Sequence, residues 1–320
     1  MSEYFLGVDG GQSSTTAIVG DENGRVLGIG RGGPCNHVSA PEARARFVNA
    51  IRVCVSAACS EAGLDADAIR FSSACLGFSG GPADKQAILG EILRSDRMLV
   101  TDDASIALAG ALGGEPGIVI IAGTGSIAFG RNAQGRTARA GGWGYLFGDQ
   151  GGGFWIVREA VRTALRWEEG WGPPTALRAI LLDSTGARNG SDLMHRCYTP
   201  EFPRPRIASL ATVVNSAAEN GDPMALKILD EAAGELAALA RAVRGQLFRG
   251  PEPVRCAYTG GVFRSRILRT RFRESLEGDP GLVATPPLHD PAAGALLEAY
   301  RAIGPIPYGM NQRFLERRLG

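Results

Sequence analysis

The chain has 320 residues, of which 44% are hydrophobic and 21% charged, and this composition is typical of a globular protein long enough for two domains. Its formal net charge of +1 gives no reason to expect nucleic acid or an anionic membrane as a partner. No apolar run approaches the ~18 residues of a transmembrane helix, so the sequence predicts no membrane span.

The cysteines and the first residues indicate a reducing compartment. Six cysteines are scattered through the chain without a C-x-x-C pair or a cysteine–histidine cluster, which argues against zinc and iron–sulfur ligation. The opening segment MSEYFLGVDG lacks the basic and then apolar pattern of a secretory signal. We therefore expect a cytoplasmic protein without a zinc or iron–sulfur site.

In chain order, the first half alternates strands with helices. Continuous or alternating apolar runs predict strands, and apolar residues at every third or fourth position predict helices. The predicted strands are YFLGVDG, TTAIVG, RVLGIG, FSSACLGF and RMLVTDD. The predicted helices lie at 41–62, at 83–93 and from residue 104 onward. This alternation favours a largely parallel α/β sheet.

The opening pattern of strand, glycine–hydroxyl turn, strand, turn and strand returns at residues 117–142. The hairpin turn DENGR at 21–25 and the segment NAQGR at 132–136 occupy the same place in the two copies. An internal repeat of this length predicts two related domains.

The second half is more helical. Its clearest element is a helix over 223–247, where Asp222 is a candidate N-cap, Pro223 suits the first turn, and leucine, alanine and valine recur at helical spacing. Further predicted helices lie at 151–167, 176–184, 205–218 and 264–276 and within 286–304, and a strand is predicted at 253–262.

Three glycine turns, each following a predicted strand, are the first chemical signal. They are DGGQSST at 9–15, GTGS at 123–126 and TGG at 259–261. Successive N–H groups in such turns bind anions, and neighbouring hydroxyls add donors to phosphate oxygens. Any one of them alone could be an ordinary hairpin turn. Neither of the only two lysines, Lys85 and Lys227, lies in a P-loop, and no Rossmann or protein-kinase motif is present.

The second chemical signal is the acid pair Asp102 and Asp103 at the end of a predicted strand. A carboxylate at a strand end can accept a proton from a substrate hydroxyl as a general base. It can equally cap the helix that follows. The residues alone leave open which acid has which role.

The segments GVDGGQSSTTAIV, TDDA, IIAGTGSIAFG, GGWGYLFGDQGGGFW and TGGVF occur in that order, and the chain resembles the N-acetylglucosamine kinases of the BadF/BadG group in the actin-like ATPase superfamily. The resemblance implies two actin-like, ribonuclease H-like α/β domains with a cleft between them. We expect an N-terminal domain at 1–114 and a C-terminal domain with extra helices at 115–304, with the tail 305–320 returning to the first domain. We also expect sugar binding to close the cleft.

The resemblance also implies roles for individual residues. Asp9 is expected to bind the Mg²⁺ of Mg–ATP, and Asp103, the acid directly before Ala104, is expected to be the catalytic base and to contact the sugar. The nucleotide is expected to contact Gly10, Gly11, Gln12, Ser13, Thr124, Gly125, Gly260 and Gly261. The sugar is expected to contact Asn36, Ser126, Gly142, Trp143, Gly144 and Asp149. From the residues alone, Asp149 could be an N-cap of the next helix, and both roles can hold together.

The implied activity is ATP-dependent phosphorylation of an amino sugar at its 6-hydroxyl, with N-acetylglucosamine as the first candidate. Glucosamine, N-acetylmuramic acid and glucose kinase activities are the alternatives. An ATPase that activates an acyl-CoA reductase or dehydratase is disfavoured, because the loop IIAGTGS lacks the cysteine that binds the iron–sulfur cluster of those activators. The resemblance further implies a homodimer, with a small sugar, ATP and Mg²⁺ as the other partners.

Overall fold

A computed structural model describes residues 3–35, 41–80, 84–278 and 281–307. The chain forms two compact units: the first comprises Met1–Glu115 and resumes at Pro287, and the second comprises Pro116–Pro286. Within the described ranges, none of the helices combines the length and the apolar character that a membrane crossing requires.

The first unit is built on a five-stranded mixed sheet in the order β3-β2-β1-β4-β5. Strand β1 pairs antiparallel with β2 and parallel with β4, so the hairpin lies on one side of it and the crossover strands on the other. The strands are β1 Tyr4–Gly10, β2 Thr15–Asp21, β3 Val26–Gly32, β4 Phe71–Phe78 and β5 Ser95–Asp102, and the helices are α1 Pro41–Glu61, α2 Gln86–Ile92, α3 Asp103–Leu112 and, near the end of the chain, α11 Pro291–Arg301.

Helix α11 belongs to the first unit, which corrects the expected boundary, since the sequence placed 287–304 in the C-terminal domain. The helix packs directly on β1 at Gly7, where a Cβ would lie 2.3 Å from the backbone nitrogen of Leu296. It also crosses α3 closely, since a Cβ on Gly294 would lie 1.9 Å from the carbonyl oxygen of Ile106. The chain therefore returns to the first unit before α11, earlier than the expected position at residue 305.

The second unit repeats this sheet and surrounds it with more helices. Its strand order is β10-β9-β6-β7-β8. The strands are β6 Gly117–Ala122, β7 Ser126–Arg131, β8 Thr137–Gly141, β9 Val254–Thr259 and β10 Leu282–Thr285. The helices are α4 Gly153–Glu168, α5 Leu177–Thr185, α6 Gly190–Cys197, α7 Arg204–Ser209, α8 Ala211–Glu219, α9 Pro223–Leu247 and α10 Arg266–Glu277, with a 3₁₀ turn at Gly261–Arg264. Helix α9 contributes a continuous buried stripe to the core of this unit.

The internal repeat extends to single hydrogen bonds. In the first hairpin, Asp21 N–H donates to the Arg25 carbonyl at 3.0 Å, and the Asp21 carboxylate accepts the N–H of Arg25 at 2.8 Å. In the second hairpin, Asn132 N–H donates to the Arg136 carbonyl at 3.0 Å, and the Asn132 side-chain oxygen accepts the N–H of Arg136, also at 3.0 Å. Strand β3 pairs antiparallel with β2, as β8 does with β7. Strand β4 pairs parallel with β1, as β9 does with β6. The two units are therefore two copies of one topology.

Candidate active site

Three parallel strands of the first unit end side by side. The register pairs Asp9 and Gly10 of β1 with Gly77 and Phe78 of β4, and it pairs Phe78 with Asp102 of β5. The carboxyl ends of parallel strands meet at one sheet edge, where open α/β sheets bind their ligands. The chemistry-bearing residues that follow these strands therefore lie at the same edge.

Asp9 is the most perturbed acid at this edge. Burial, and then the negative charges of Asp103 and Asp290, raise the pKa of Asp9 from 3.8 to about 7. The two neighbouring carboxylates must be close to Asp9 to have this effect. The edge therefore concentrates negative charge around a half-buried group, which favours the binding of a cation.

The two adjacent acids have different environments. The carboxylate of Asp102 accepts the backbone N–H of Ser105 at 2.7 Å and is the N-cap of α3. Asp103 is the first residue of α3, and its Oδ2 accepts the hydroxyl of Ser79 at 2.7 Å. The structure thus assigns the capping role to Asp102 and leaves Asp103 at the sheet edge beside Asp9.

The first glycine turn lies next to this edge. Gly10 packs against the ring of Phe78, and Gly11 N–H donates to the Ser14 carbonyl at 3.0 Å. The side chains of Gln12 and Ser13 are exposed. Exposed donors at a tight turn are available to a ligand, which suits the predicted contact with phosphate oxygens.

In the second unit, the turn at 123–126 and the segment 149–154 hold each other through backbone hydrogen bonds. Gly153 N–H donates to the Gly123 carbonyl at 2.8 Å, and Phe154 N–H donates to the Thr124 carbonyl at 3.0 Å. The buried Ser126 donates its hydroxyl to the Gln150 carbonyl at 2.5 Å. The predicted nucleotide turn and the predicted sugar segment are therefore one packed assembly.

Asp149 is central to this assembly. It is buried, and it has a φ of 61°, the only positive φ of a non-glycine residue among the residues that the structure describes. Its Oδ1 accepts the N–H of Ser126 at 3.4 Å, and its carboxylate lies against Gly125. The N-cap of α4 is Gly152, so the prediction that Asp149 caps this helix is wrong. A strained, buried acid is typical of a functional site.

The remaining predicted residues of this unit are more exposed. Trp143 is 64% exposed, and the guanidinium of Arg139 lies 4.7 Å from its ring centroid. Gly142 and Gly144 flank it in a loop, and both have a positive φ, of 70° and 79°. Gly260 packs against the backbone of Ala122, and Gly261 begins the 3₁₀ turn. The predicted sugar ligand Asn36 lies outside the described residues.

Two residues at the edge of the first unit were not predicted as site residues. Ser79 contacts Asp103, and Asp290, the N-cap of α11, influences Asp9. Ser79 follows Phe78, and only the β4–β5 register brings it beside a residue that is 24 positions away. The sequence signal for Asp290 was the segment HDP before an apolar helix, which reads as an ordinary N-cap.

The residues at this edge fit a magnesium ion that arrives with a nucleotide. Among the described residues, no group of three or more His, Cys, Asp or Glu side chains is arranged as a protein cage for a metal. Mg²⁺ in nucleotide sites needs only one or two carboxylates, because phosphate and water supply the other ligands. The raised pKa of Asp9 marks a carboxylate whose ionised form lacks compensation, and a divalent cation would supply it.

Comparison with known proteins identifies a family and named relatives. A sequence model of the BadF/BadG/BcrA/BcrD ATPase family matches residues 6–299. An N-acetylmuramic acid/N-acetylglucosamine kinase of Clostridium acetobutylicum is 33% identical over 304 residues, which cover 93% of this chain and 98% of the relative. An N-acetyl-D-glucosamine kinase of Dictyostelium discoideum is 32% identical over 313 residues, with the same coverage of 93% and 98%.

A solved structure extends the likeness to the fold. The crystal structure of a candidate N-acetylglucosamine kinase from Chromobacterium violaceum matches with a TM-score of 0.74 and 30% identity, over 92% of this chain and 98% of that one. This match confirms the predicted class of two actin-like α/β ATPase domains.

Proposed function

Because the chain belongs to the BadF/BadG/BcrA/BcrD ATPase family, we propose that it transfers the γ-phosphoryl group of ATP to the 6-hydroxyl of an amino sugar. N-acetylglucosamine is the first candidate, since the relatives from Clostridium acetobutylicum and Dictyostelium discoideum are both named as kinases of this sugar. N-acetylmuramic acid, glucosamine and glucose are the alternatives. They differ at carbons 2 and 3, where a single contact shifts preference only ~10–200-fold.

The observation that carries the proposal is the position of Asp103. Its carboxylate lies at the carboxyl edge of three parallel strands, close enough to Asp9 to raise the pKa of that residue. A sugar hydroxyl is a poor nucleophile until its proton has an acceptor, and a carboxylate at a strand end can accept it. Asp103 is therefore the general base, and Asp102, which is occupied as a helix cap, is not.

The other residues bind and orient. Gly10, Gly11, Gln12 and Ser13 in the first unit and Thr124, Gly125, Gly260 and Gly261 in the second are assigned to the nucleotide, through backbone N–H groups and hydroxyls. Asn36, Ser126, Gly142, Trp143, Gly144 and Asp149 are assigned to the sugar. Asp9 would hold Mg²⁺, which when bound neutralises charge on the triphosphate. Positioning the two substrates supplies much of the rate enhancement in such transfers.

The decisive experiment measures ATP-dependent phosphorylation of the four sugars by the wild-type chain and by two matched variants. Asp103→Asn should reduce the rate by about 10²–10⁴ while sugar still binds, because a general base is lost. Asp102→Asn is the control, since asparagine is as good an N-cap as aspartate and should leave the rate nearly unchanged. An active Asp103→Asn variant beside an inactive Asp102→Asn variant would show that the base is misassigned.

One further outcome bears on the kinase proposal as a whole. Nucleotide hydrolysis that is independent of sugar, as the main activity, would contradict a kinase. The resemblance also leads us to propose a homodimer, which sedimentation velocity tests directly.

A further inference from the structure

We propose that Ser79 is a positioning residue for the phosphoryl transfer, and that its hydroxyl fixes the carboxylate of Asp103 in the orientation in which it accepts the sugar proton. This inference rests on the proposed kinase function and on Asp103 as its base. It assigns a role to a residue outside the glycine turns and the acid pair. The argument follows from the strand register, from the hydrogen bonds of the two neighbouring acids and from the second contact that Ser79 makes.

The register places Ser79 where it can act on Asp103. Phe78, the last residue of β4, pairs with Asp102, the last residue of β5, in a parallel ladder. The next residue of each strand therefore emerges at the same edge of the sheet. Ser79 and Asp103 are those residues, and Ser79 Oγ donates to Oδ2 of Asp103 at 2.7 Å. Hydrogen bonds to an ionised acceptor at this distance are among the stronger ones in proteins.

Asp103 needs such a contact because of where it lies in α3. It is the first helical residue, and its neighbour Asp102 already caps the helix through the N–H of Ser105. The terminal torsion of an aspartate side chain is broad and defines no single carboxylate orientation. The free N–H groups of the first helical turn also attract carboxylates. A donor from a neighbouring strand selects one orientation, and it engages only one of the two oxygens.

Ser79 is itself anchored to the strand that carries Asp9. Its backbone N–H donates at 3.3 Å to the carbonyl of Gly10, the residue that directly follows Asp9 in β1. One residue thus touches both the turn after β1 and the proposed base at the start of α3. This arrangement fixes Asp103 relative to the phosphate-binding turn, and that relation must hold for the hydroxyl and the γ-phosphate to meet in line.

The expected signature is a loss of chemistry without a loss of sugar binding. A misplacement of about 1 Å can cost about 10²-fold in rate. Ser79→Ala should therefore lower the single-turnover rate of phosphoryl transfer about 10–100-fold, while the KM and the calorimetric Kd for the sugar stay within about twofold. Ser79→Thr keeps the hydroxyl and should recover most of the rate. Ser79→Cys keeps the size with a weaker donor and should be intermediate.

Ser73 provides a matched control in β4, the strand that ends directly before Ser79. It is fully buried in β4, and its hydroxyl has no hydrogen-bond partner among the described residues. Ser73→Ala removes the same kind of atom from β4 itself and should keep the wild-type rate. If Ser79→Ala lowers the rate only through general loosening of the strand, the two alanine variants will lose rate together, and the proposal is overturned.

A double-mutant cycle with Asp103→Asn separates this inference from the proposed function. If Ser79 acts through Asp103, the double variant should be no slower than Asp103→Asn alone. Three outcomes would each show that Ser79 does not position the base. They are a double variant whose rate loss is the product of the two single losses, a wild-type rate for Ser79→Ala, and a raised KM for Ser79→Ala at an unchanged rate. Asp103→Asn with wild-type activity would contradict the proposed base itself, whatever Ser79 does.

Discussion

The carboxylate of Asp149 lies so close to Gly125 that a Cβ on Gly125 would be 2.4 Å from Oδ2 of Asp149. Gly125 must therefore be a glycine because the Asp149 side chain leaves no room for a Cβ. Asp149 also has strained backbone at φ 61°, so the contact is between two parts that have little room to adjust. The first prediction follows from this crowding.

Gly125→Ala should destabilise the ligand-free protein by about 1–3 kcal/mol, the usual cost of overpacking. Thermal unfolding without nucleotide or sugar measures it. Gly123→Ala is the matched control in the same turn, because a Cβ there meets no atom within 4 Å, and it should unfold near the wild-type temperature. Adding Asp149→Gly to Gly125→Ala removes the crowding carboxylate, and glycine adopts the positive φ at position 149 without strain, so the double variant should regain stability. Equal melting temperatures for the two alanine variants would contradict this account.

A second prediction concerns pH. The pKa of Asp9 in the folded chain is about 7, against 3.8 as its ordinary value, because burial and then Asp103 and Asp290 disfavour the ionised form. The unfolded chain therefore releases this proton at lower pH than the folded chain does. Asp9 costs stability progressively from about pH 4 to pH 7, up to an upper bound of about 4 kcal/mol above that range.

Asp9→Asn removes this cost and should raise the melting temperature of the ligand-free protein. The gain over wild type should be larger at pH 8 than at pH 5. Asp67→Asn, at an exposed acid of the same unit, is the control and should show no such trend. A gain from Asp9→Asn that is constant across pH would mean that ionisation of Asp9 is not its source. Asp9→Asn should also bind Mg–ATP more weakly, if Asp9 holds the metal as proposed.

The sequence alone predicts the bounds of an element correctly where several local signals indicate the same element. The helix predicted over 223–247 is observed at Pro223–Leu247, because an N-cap, a proline in the first turn and an apolar stripe all indicate the same element. Agreement was poorer where signals were weak. The single helix predicted over 205–218 is two, Arg204–Ser209 and Ala211–Glu219, and neither the short α6 nor the four-residue β10 was predicted.

The site likewise has a part that is visible in the sequence and a part that is not. The glycine turns and the acid pair are visible as local motifs, but the roles of Asp9 and Asp103 were expected only from the family resemblance. The contact between Ser79 and Asp103 depends on the parallel register of two strands, and the influence of Asp290 depends on where a helix far along the chain returns. Sequence patterns report local periodicity and turn chemistry, and they contain no measure of which strand ends are neighbours.

A third prediction concerns the thiols. All six cysteines are unpaired; five are buried and Cys197 is partly exposed. Burial raises the pKa of every one of them, to about 11 for Cys59 and to about 12 for Cys54 and Cys256. The thiolate is the reactive form, so an aromatic disulfide reagent at pH 8 should find few reactive sites in the folded protein.

Titration of the native chain with that reagent should show at most one readily modified thiol, and Cys197→Ser should abolish that phase. The same titration in denaturant should count all six. Rapid modification of several thiols in the native protein, with unfolding excluded by circular dichroism, would contradict the observed burial.

The last prediction concerns Asp222, whose carboxylate joins two helices of the second unit. Oδ1 accepts the N–H groups of Met224 at 3.0 Å and Ala225 at 2.8 Å, which caps α9. Oδ2 accepts the hydroxyl of Thr175 at 2.9 Å and the N–H of Ala176 at 2.6 Å, where α5 begins. The side chain is buried, so water cannot replace these bonds when the carboxylate is removed.

Asp222→Ala should therefore cost more than the ~1 kcal/mol of an ordinary N-cap, about 2–4 kcal/mol, since donors from both helices are left without an acceptor. Asp222→Asn keeps one oxygen for α9 and gives up the acceptor for α5, so its loss should be intermediate. Asp290→Ala is the comparison. It removes the N-cap of α11 in the first unit, where the Asp290 carboxylate accepts a single N–H, that of Ala293. Denaturant unfolding of the three variants should rank Asp222→Ala as the least stable. If Asp222→Ala and Asp290→Ala lose the same stability, the contact with α5 contributes nothing and Asp222 is an ordinary cap.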